Sequence, residues 1–146
     1  MDTRKDIDAS LKLFVVLSRA YRSVGDSANK SIQRFGLNPT EFAVLELLFN
    51  KGDTPLQQIG GKILIASGSI TYVVDKLEKK GLLLRKQCSK DRRVTYASLT
   101  DEGILTMEKI FPEHERFINQ IQSSLSFEEK ESLITLLKKL GYGARG

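Results

Sequence analysis

Apolar or small residues recur at positions 11, 14, 18, 21, 25, 28, 32 and 35, with Leu13, Leu17 and Val24 beside them. A return every seven residues is a seam along one side of a helix. The spacing therefore predicts one long helix from Asp8 to about Phe35, weakened around Ser23 and Gly25 and stopped by Gly36. "NPTE" at 38–41 starts the next element: Asn38 as N-cap, Pro39 in the first turn and Glu41 three residues beyond the cap. This second helix is expected to run to about Asn50. "TPLQQ" at 54–58 repeats the signal, with Thr54 capping, Pro55 first and Gln57 closing a capping box, and predicts a short third helix ending near Ile63 or Leu64. A fourth follows, in which Ile70, Val73, Val74 and Leu77 hold i, i+3, i+4 and i+7 spacing before Gly81 ends it.

The character then changes. "LLLRKQ" at 82–87 and "VTYASL" at 94–99 are β-prone runs joined by the charged turn "CSKDRR", which predicts a two-stranded hairpin with a basic tip. Thr100 caps another long helix, whose seam runs through Ile104, Met107, Phe111, His114, Ile118, Ile121 and Leu125. Pro112 inside it predicts a kink. Ser126 and Glu129 form a further capping box, and Phe127, Leu133, Leu136, Leu137 and Leu140 give a closing amphipathic helix. The terminal helices carry more apolar seam than the small middle unit can cover, so they are expected to pack on each other and on a second copy of the chain.

Composition narrows the class. The 146 residues suffice for one domain with a real core. The single cysteine excludes an intramolecular disulfide framework, and the first residues lack the basic-then-apolar layout of a secretory signal, so a reducing cytoplasm is the expected setting. No apolar run approaches the roughly 20 residues that cross a bilayer, and no membrane association is expected. One histidine, one cysteine and no Gly-rich phosphate loop leave no assembled nucleophile, base or metal set, so neither an enzyme nor a cofactor is expected. The net charge of +5 is modest, but residues 62–93 hold nine Lys/Arg against three Asp/Glu, so all of the excess lies in this one segment.

That segment opens with "SGSITY", small residues that add little to a core. A short helix, a turn, a second amphipathic helix and a β-hairpin form the layout of a winged helix-turn-helix, which sets the front of its second helix against base edges in the major groove. Ser67, Ser69 and Thr71 suit that position as short donors and acceptors, Gly68 permits close approach, and Tyr72 and Lys76 extend the same exposed side. Lys90, Arg92 and Arg93 stand where a wing would meet the minor groove, with Asp91 placed to hold one arginine by a charge-assisted hydrogen bond. The fold class is therefore mainly α with a small β-hairpin wing: a winged helix-turn-helix over 37–100 flanked by dimerisation helices over 8–36 and 101–141. The rival reading is a winged-helix docking module whose basic hairpin meets an acidic protein surface without specific DNA binding.

"SGSITYVVDKLEKKGLLLRKQCSKDRRVTYASLTDEG" at 67–103 resembles the central signature of the MarR family of transcriptional regulators. It carries the Ser-x-x-x-Thr start, the Val-Asp-x-Leu-Glu-x-x-Gly run followed by Arg85, the Asp-x-Arg of the wing and the closing Leu-Thr-x-x-Gly. The flanking helices fit the family layout, making residues 1–146 a single domain of that type. The resemblance implies a homodimer on a pseudo-palindromic double-stranded operator, usually as a repressor. It places Ser67, Ser69, Thr71 and Tyr72 in the major groove, Arg85 in support of the wing and nearby phosphate, and Arg93, braced by Asp91, in the minor groove. Many members carry Arg where this chain has Tyr72, which bears on base preference. The resemblance also implies control by a small aromatic, phenolic or quinone-like effector, or by cysteine oxidation. Phe14, Tyr21 and His114 are the candidate pocket residues, because each lies on the seam of a terminal helix. Cys88, between Lys86 and Lys90, is the candidate thiol sensor.

Overall fold

In the computed structural model, which describes residues 2–63 and 67–145, the chain runs α1 (Arg4–Gln33), α2 (Pro39–Lys51), β1 (Thr54–Pro55), α3 (Leu56–Ile63), α4 (Ser67–Lys79), β2 (Leu83–Gln87), β3 (Thr95–Leu99), α5 (Asp101–Ile121) and α6 (Phe127–Ala144). Helix α1 begins at Arg4, four residues ahead of the expected start at Asp8. There Thr3 Oγ1 accepts from the Asp6 N–H at 3.1 Å, and Arg4 and Asp8 pair one turn apart. Apolar periodicity records which face is to be buried, whereas capping and helix propensity decide where the backbone becomes helical. Gly36, at φ +77°, turns the chain toward α2.

Local capping chemistry sets the other starts. Asn38 Oδ1 accepts from the Glu41 N–H at 2.7 Å while Glu41 Oε1 accepts from the Asn38 N–H at 3.0 Å. Ser126 and Glu129 repeat the exchange at α6. Helix α5 stays helical on both sides of Pro112 and ends at Ile121, short of Leu125. Among the described residues, no helix is long and apolar enough to cross a membrane.

The segment 54–58 departs from expectation. Thr54 does not cap a helix through its side chain: its hydroxyl donates to the Gly52 carbonyl at 3.0 Å, and Thr54–Pro55 forms a short strand paired antiparallel with β3, Thr54 opposite Ala97 and Pro55 opposite Tyr96. The expected two-stranded hairpin is thus part of a three-stranded sheet in the order β1-β3-β2. Pro55 lacks an N–H, which an edge strand tolerates, and β1 lies at the edge. β2 and β3 pair in the register Leu83–Leu99, Arg85–Ala97 and Gln87–Thr95.

The core centres on the middle unit and is closed by Ile32 of α1 and by Met107 and Ile110 of α5. Leu45, Ile59, Val74, Leu77 and Met107 are fully buried, joined by Phe42, Leu48, Leu83 and Ala97. Each large side chain buried this way contributes about 1.5–3 kcal/mol. The C-terminal end of α4 is tied on two sides. Lys80 Nζ donates to Glu41 Oε2 at 2.8 Å and to the Gly36 carbonyl at 3.4 Å. Across the turn, Thr100 Oγ1 donates to the Gly81 carbonyl at 2.6 Å and accepts from the Gly103 N–H at 3.0 Å, while the Thr100 N–H donates to the Leu82 carbonyl at 3.1 Å. A Cβ at Gly103 would fall 2.0 Å from the Leu82 carbonyl oxygen, so only glycine allows α5 to approach so closely.

Two outcomes follow from this anchoring. Gly103→Ala is expected to lower stability by about 1–3 kcal/mol, the usual cost of overpacking, read as a shift in the urea midpoint. For Glu41, burial pushes the carboxyl up, but the hydrogen bonds from Lys80 and the Asn38 N–H, with the Lys80 and Lys76 charges, more than reverse this and leave it below its ordinary 4.5. A depressed carboxyl stabilises the fold fully above its unfolded value and loses that contribution as pH falls through the folded one. Stability measured from pH 7 downward should therefore decline below about pH 4.5, and Glu41→Gln should flatten that part of the profile.

Candidate nucleic-acid interface

Helix α4 is held by one stripe, Ile70, Val73, Val74 and Leu77, all buried. The opposite side presents Ser69, Thr71 and Tyr72, exposed, with Lys76 half-buried beside them. Lys76 Nζ lies 5.7 Å from the centre of the Tyr72 ring, one turn back along the helix. Ser67 and Gly68 form the first two positions of α4, and the placement of their side-chain positions lies outside the described residues.

The turn between β2 and β3 is built by its own backbone. The Cys88 N–H donates to the Val94 carbonyl at 2.9 Å, and the Val94 N–H to the Asp91 carbonyl at 3.0 Å. Asp91 Oδ1 accepts from the Arg93 N–H at 3.0 Å and from Arg93 Nε at 3.1 Å, and Oδ2 accepts from Nη2 at 3.2 Å. The Arg93 side-chain hydrogen bonds, then its backbone N–H, hold the Asp91 carboxyl below its ordinary value. The guanidinium is thus oriented while its side chain stays 90% accessible. Lys90 and Arg92 are exposed on the same turn.

Arg85 joins the hairpin to α4. From β2 it donates through Nη2 to Asp75 Oδ1 at 2.8 Å and through Nη1 to Glu78 Oε1, both on α4. Its charge is committed to the helix, which fixes the angle between α4 and the wing. Asp75 is half exposed on the same side of α4 as Tyr72; pairing with Arg85 neutralises a carboxylate that would otherwise repel phosphate. The sequence reading missed this pair of acids, although the i, i+3 spacing of Asp75 and Glu78 on one helix face was available as a signal.

The three expected pocket residues are not brought together within one protomer. Phe14 and Tyr21 are 72% and 80% exposed on α1. His114 packs against α2 instead, its ring centre 4.5 Å from that of Phe42 and 5.9 Å from that of Phe111, with Nε2 3.5 Å from a Glu46 carboxylate oxygen. Its Nδ1 is buried without a hydrogen-bond partner. An open groove of about 400 Å³ runs beside it, lined by Glu46, Phe111, Glu115, Ile118 and Lys130 among others. Cys88 is half-buried at the base of the wing turn.

Comparisons with known proteins agree with this geometry. The MarR family model matches residues 37–95. The HTH-type transcriptional regulator MhqR of Bacillus subtilis (strain 168) is 61% identical over 94% of this chain and 95% of its own length. Sco3205, a MarR family regulator from Streptomyces coelicolor solved in complex with DNA, shares the fold at a TM-score of 0.83 and 22% identity, over 99% of this chain and 94% of that one. NadR, solved in complex with 4-hydroxyphenylacetate, superposes at a TM-score of 0.73 and 25% identity over 86% of this chain and 89% of its own.

The Arg85 arrangement yields a double-substitution test. Arg85→Ala is expected to weaken binding to duplex DNA about tenfold, or ~1.4 kcal/mol, by freeing the wing and baring Asp75. Adding Asp75→Asn to that variant should recover part of the loss in a fluorescence-anisotropy titration at fixed salt.

Proposed function

The chain belongs to the MarR family and is a transcriptional regulator of that type, and we propose that it acts as a homodimeric repressor on a pseudo-palindromic operator, released by a small phenolic or quinone-like compound. The observation that carries the DNA-reading part is the Arg85 bridge, because it makes α4 and the wing one surface instead of two independent ones. On that surface Ser69, Thr71, Tyr72 and Lys76 meet the major groove, joined in this reading by Ser67 and Gly68 at the helix start, while Lys90 and Arg92 meet phosphate. Arg93, pre-oriented by Asp91, enters the minor groove, whose narrow A·T-rich stretches attract inserted arginine.

The unpartnered apolar faces support the dimer. Leu11, Phe14 and Val16 on α1 and Leu133, Leu136, Leu137 and Leu140 on α6 are exposed in one protomer, and α6 buries none of its residues. A monomer rarely leaves so much contiguous apolar surface in water. Two-fold pairing would set the reading surfaces about one helical turn of DNA apart. Phe14 and Tyr21 belong in this scheme to the seam between copies.

The groove at His114 supports an aromatic effector, having the rings of Phe111 and His114 in a wall that also carries Lys130 and two glutamates, and a buried nitrogen in want of a partner. A compound bound there acts only through different affinity for the DNA-bound and released spacings. Its lever is the first turn of α2, where Phe42 packs against His114 and the adjacent Glu41 holds Lys80 of the α4 end.

Footprinting on genomic fragments, with sedimentation of the free protein, tests the proposal. A dimer protecting two half-sites is expected, and a monomer with no preference for any duplex over random competitor would leave the docking-module reading instead. Arg93→Ala should weaken operator binding and reduce the slope of log K against log salt by about 1. Release by phenolic and electrophilic compounds should persist in Cys88→Ser; its loss there would move the sensor from the His114 groove to the thiol.

A further inference from the structure

Among the described residues of α4, Tyr72 is the large apolar side chain left in solvent, at 64% accessibility. Single exposed aromatics are ordinary, so exposure alone carries nothing. Its surroundings do. At ~100° per residue Tyr72 projects nearly opposite the buried stripe of Ile70, Val73, Val74 and Leu77, and so stands at the middle of the face that would enter a groove. Ser69 and Thr71 beside it are short, and Asp75 is turned to Arg85. Lys76, on the ring at 5.7 Å, limits the positions the ring takes up. At the middle of this face there therefore stands an uncharged ring in a restrained pose.

Tyrosine has no fork of donors, so it cannot bind guanine O6 and N7 together as arginine does. The apolar group that base edges offer in the major groove is the C5-methyl of thymine. We infer that Tyr72 reads a thymine methyl in each half-site, and that this residue sets base choice at that pair. The inference rests on the DNA-reading function proposed above and adds the base and the chemical group recognised.

Binding sites selected from a random duplex pool with the wild-type protein supply the probe. Each thymine of the selected site is then replaced singly by deoxyuridine, which removes only the methyl. One thymine per half-site is expected to lose about fourfold in affinity, the factor one buried methyl represents. Tyr72→Phe should keep that sensitivity. Tyr72→Ala should be indifferent to the replacement and, in its own selection, accept any pair at that position, with thermal unfolding unchanged because the side chain is exposed. A wild-type protein that selects a site yet tolerates deoxyuridine at every thymine would overturn the inference alone, as would a Tyr72→Ala protein that still distinguishes the two bases. Failure of the wild type to select any site would remove the DNA-reading function with it.

Discussion

The structure depends on how the back end of α4 is held. Lys80 reaches Glu41 and the Gly36 carbonyl on one side, and the Gly81–Leu82 backbone is bonded to Thr100 on the other. A buried ion pair is weak evidence for net stability, since desolvation offsets most of the attraction. Here both Glu41 oxygens are used, one by the Asn38 N–H and one by Lys80, so the carboxylate is not left wanting. Its effect is positional. The helix that carries the exposed Ser69, Thr71 and Tyr72 cannot turn without moving α2 and the start of α5.

Charge is arranged to the same end. The three acidic residues within the basic segment 62–93 are Asp75, Glu78 and Asp91, and each is paired with an arginine of the wing, Asp75 and Glu78 with Arg85 and Asp91 with Arg93. Exposed pairs of this kind contribute little to stability. What they supply is pose: one guanidinium locks strand to helix, and the other is aimed outward from the turn. Lys90 and Arg92 remain exposed on the same turn.

The outer helices pose the opposite case. The middle unit closes its core with Ile32 of α1 and Met107 and Ile110 of α5, but α6 and most of α1 expose leucines and aromatics that it has no surface left to cover. Burial is thus divided along the chain, with Ser31 and Ile32 at the end of α1 the only part of that helix buried among the described residues. His114 sits on this boundary, belonging by periodicity to the α5 seam and by contact to α2.

By itself the sequence determined what is local. Caps at Asn38, Thr100 and Ser126, turns at Gly36 and Gly81, the buried stripe of α4 and the hairpin are each specified within about one helical turn or one strand pair, where side chain and backbone meet whatever lies elsewhere. Tertiary structure decided what depends on partners far along the chain. Thr54 is extended whether it caps a helix or joins a strand, and only the arrival of β3 alongside makes it a strand. Lys80 meets Glu41 across 39 residues, Arg85 meets two acids of α4, and His114 leaves the outer seam for Phe42. Periodicity tells which face a residue occupies; which neighbour fills the space opposite is fixed only when the helices pack.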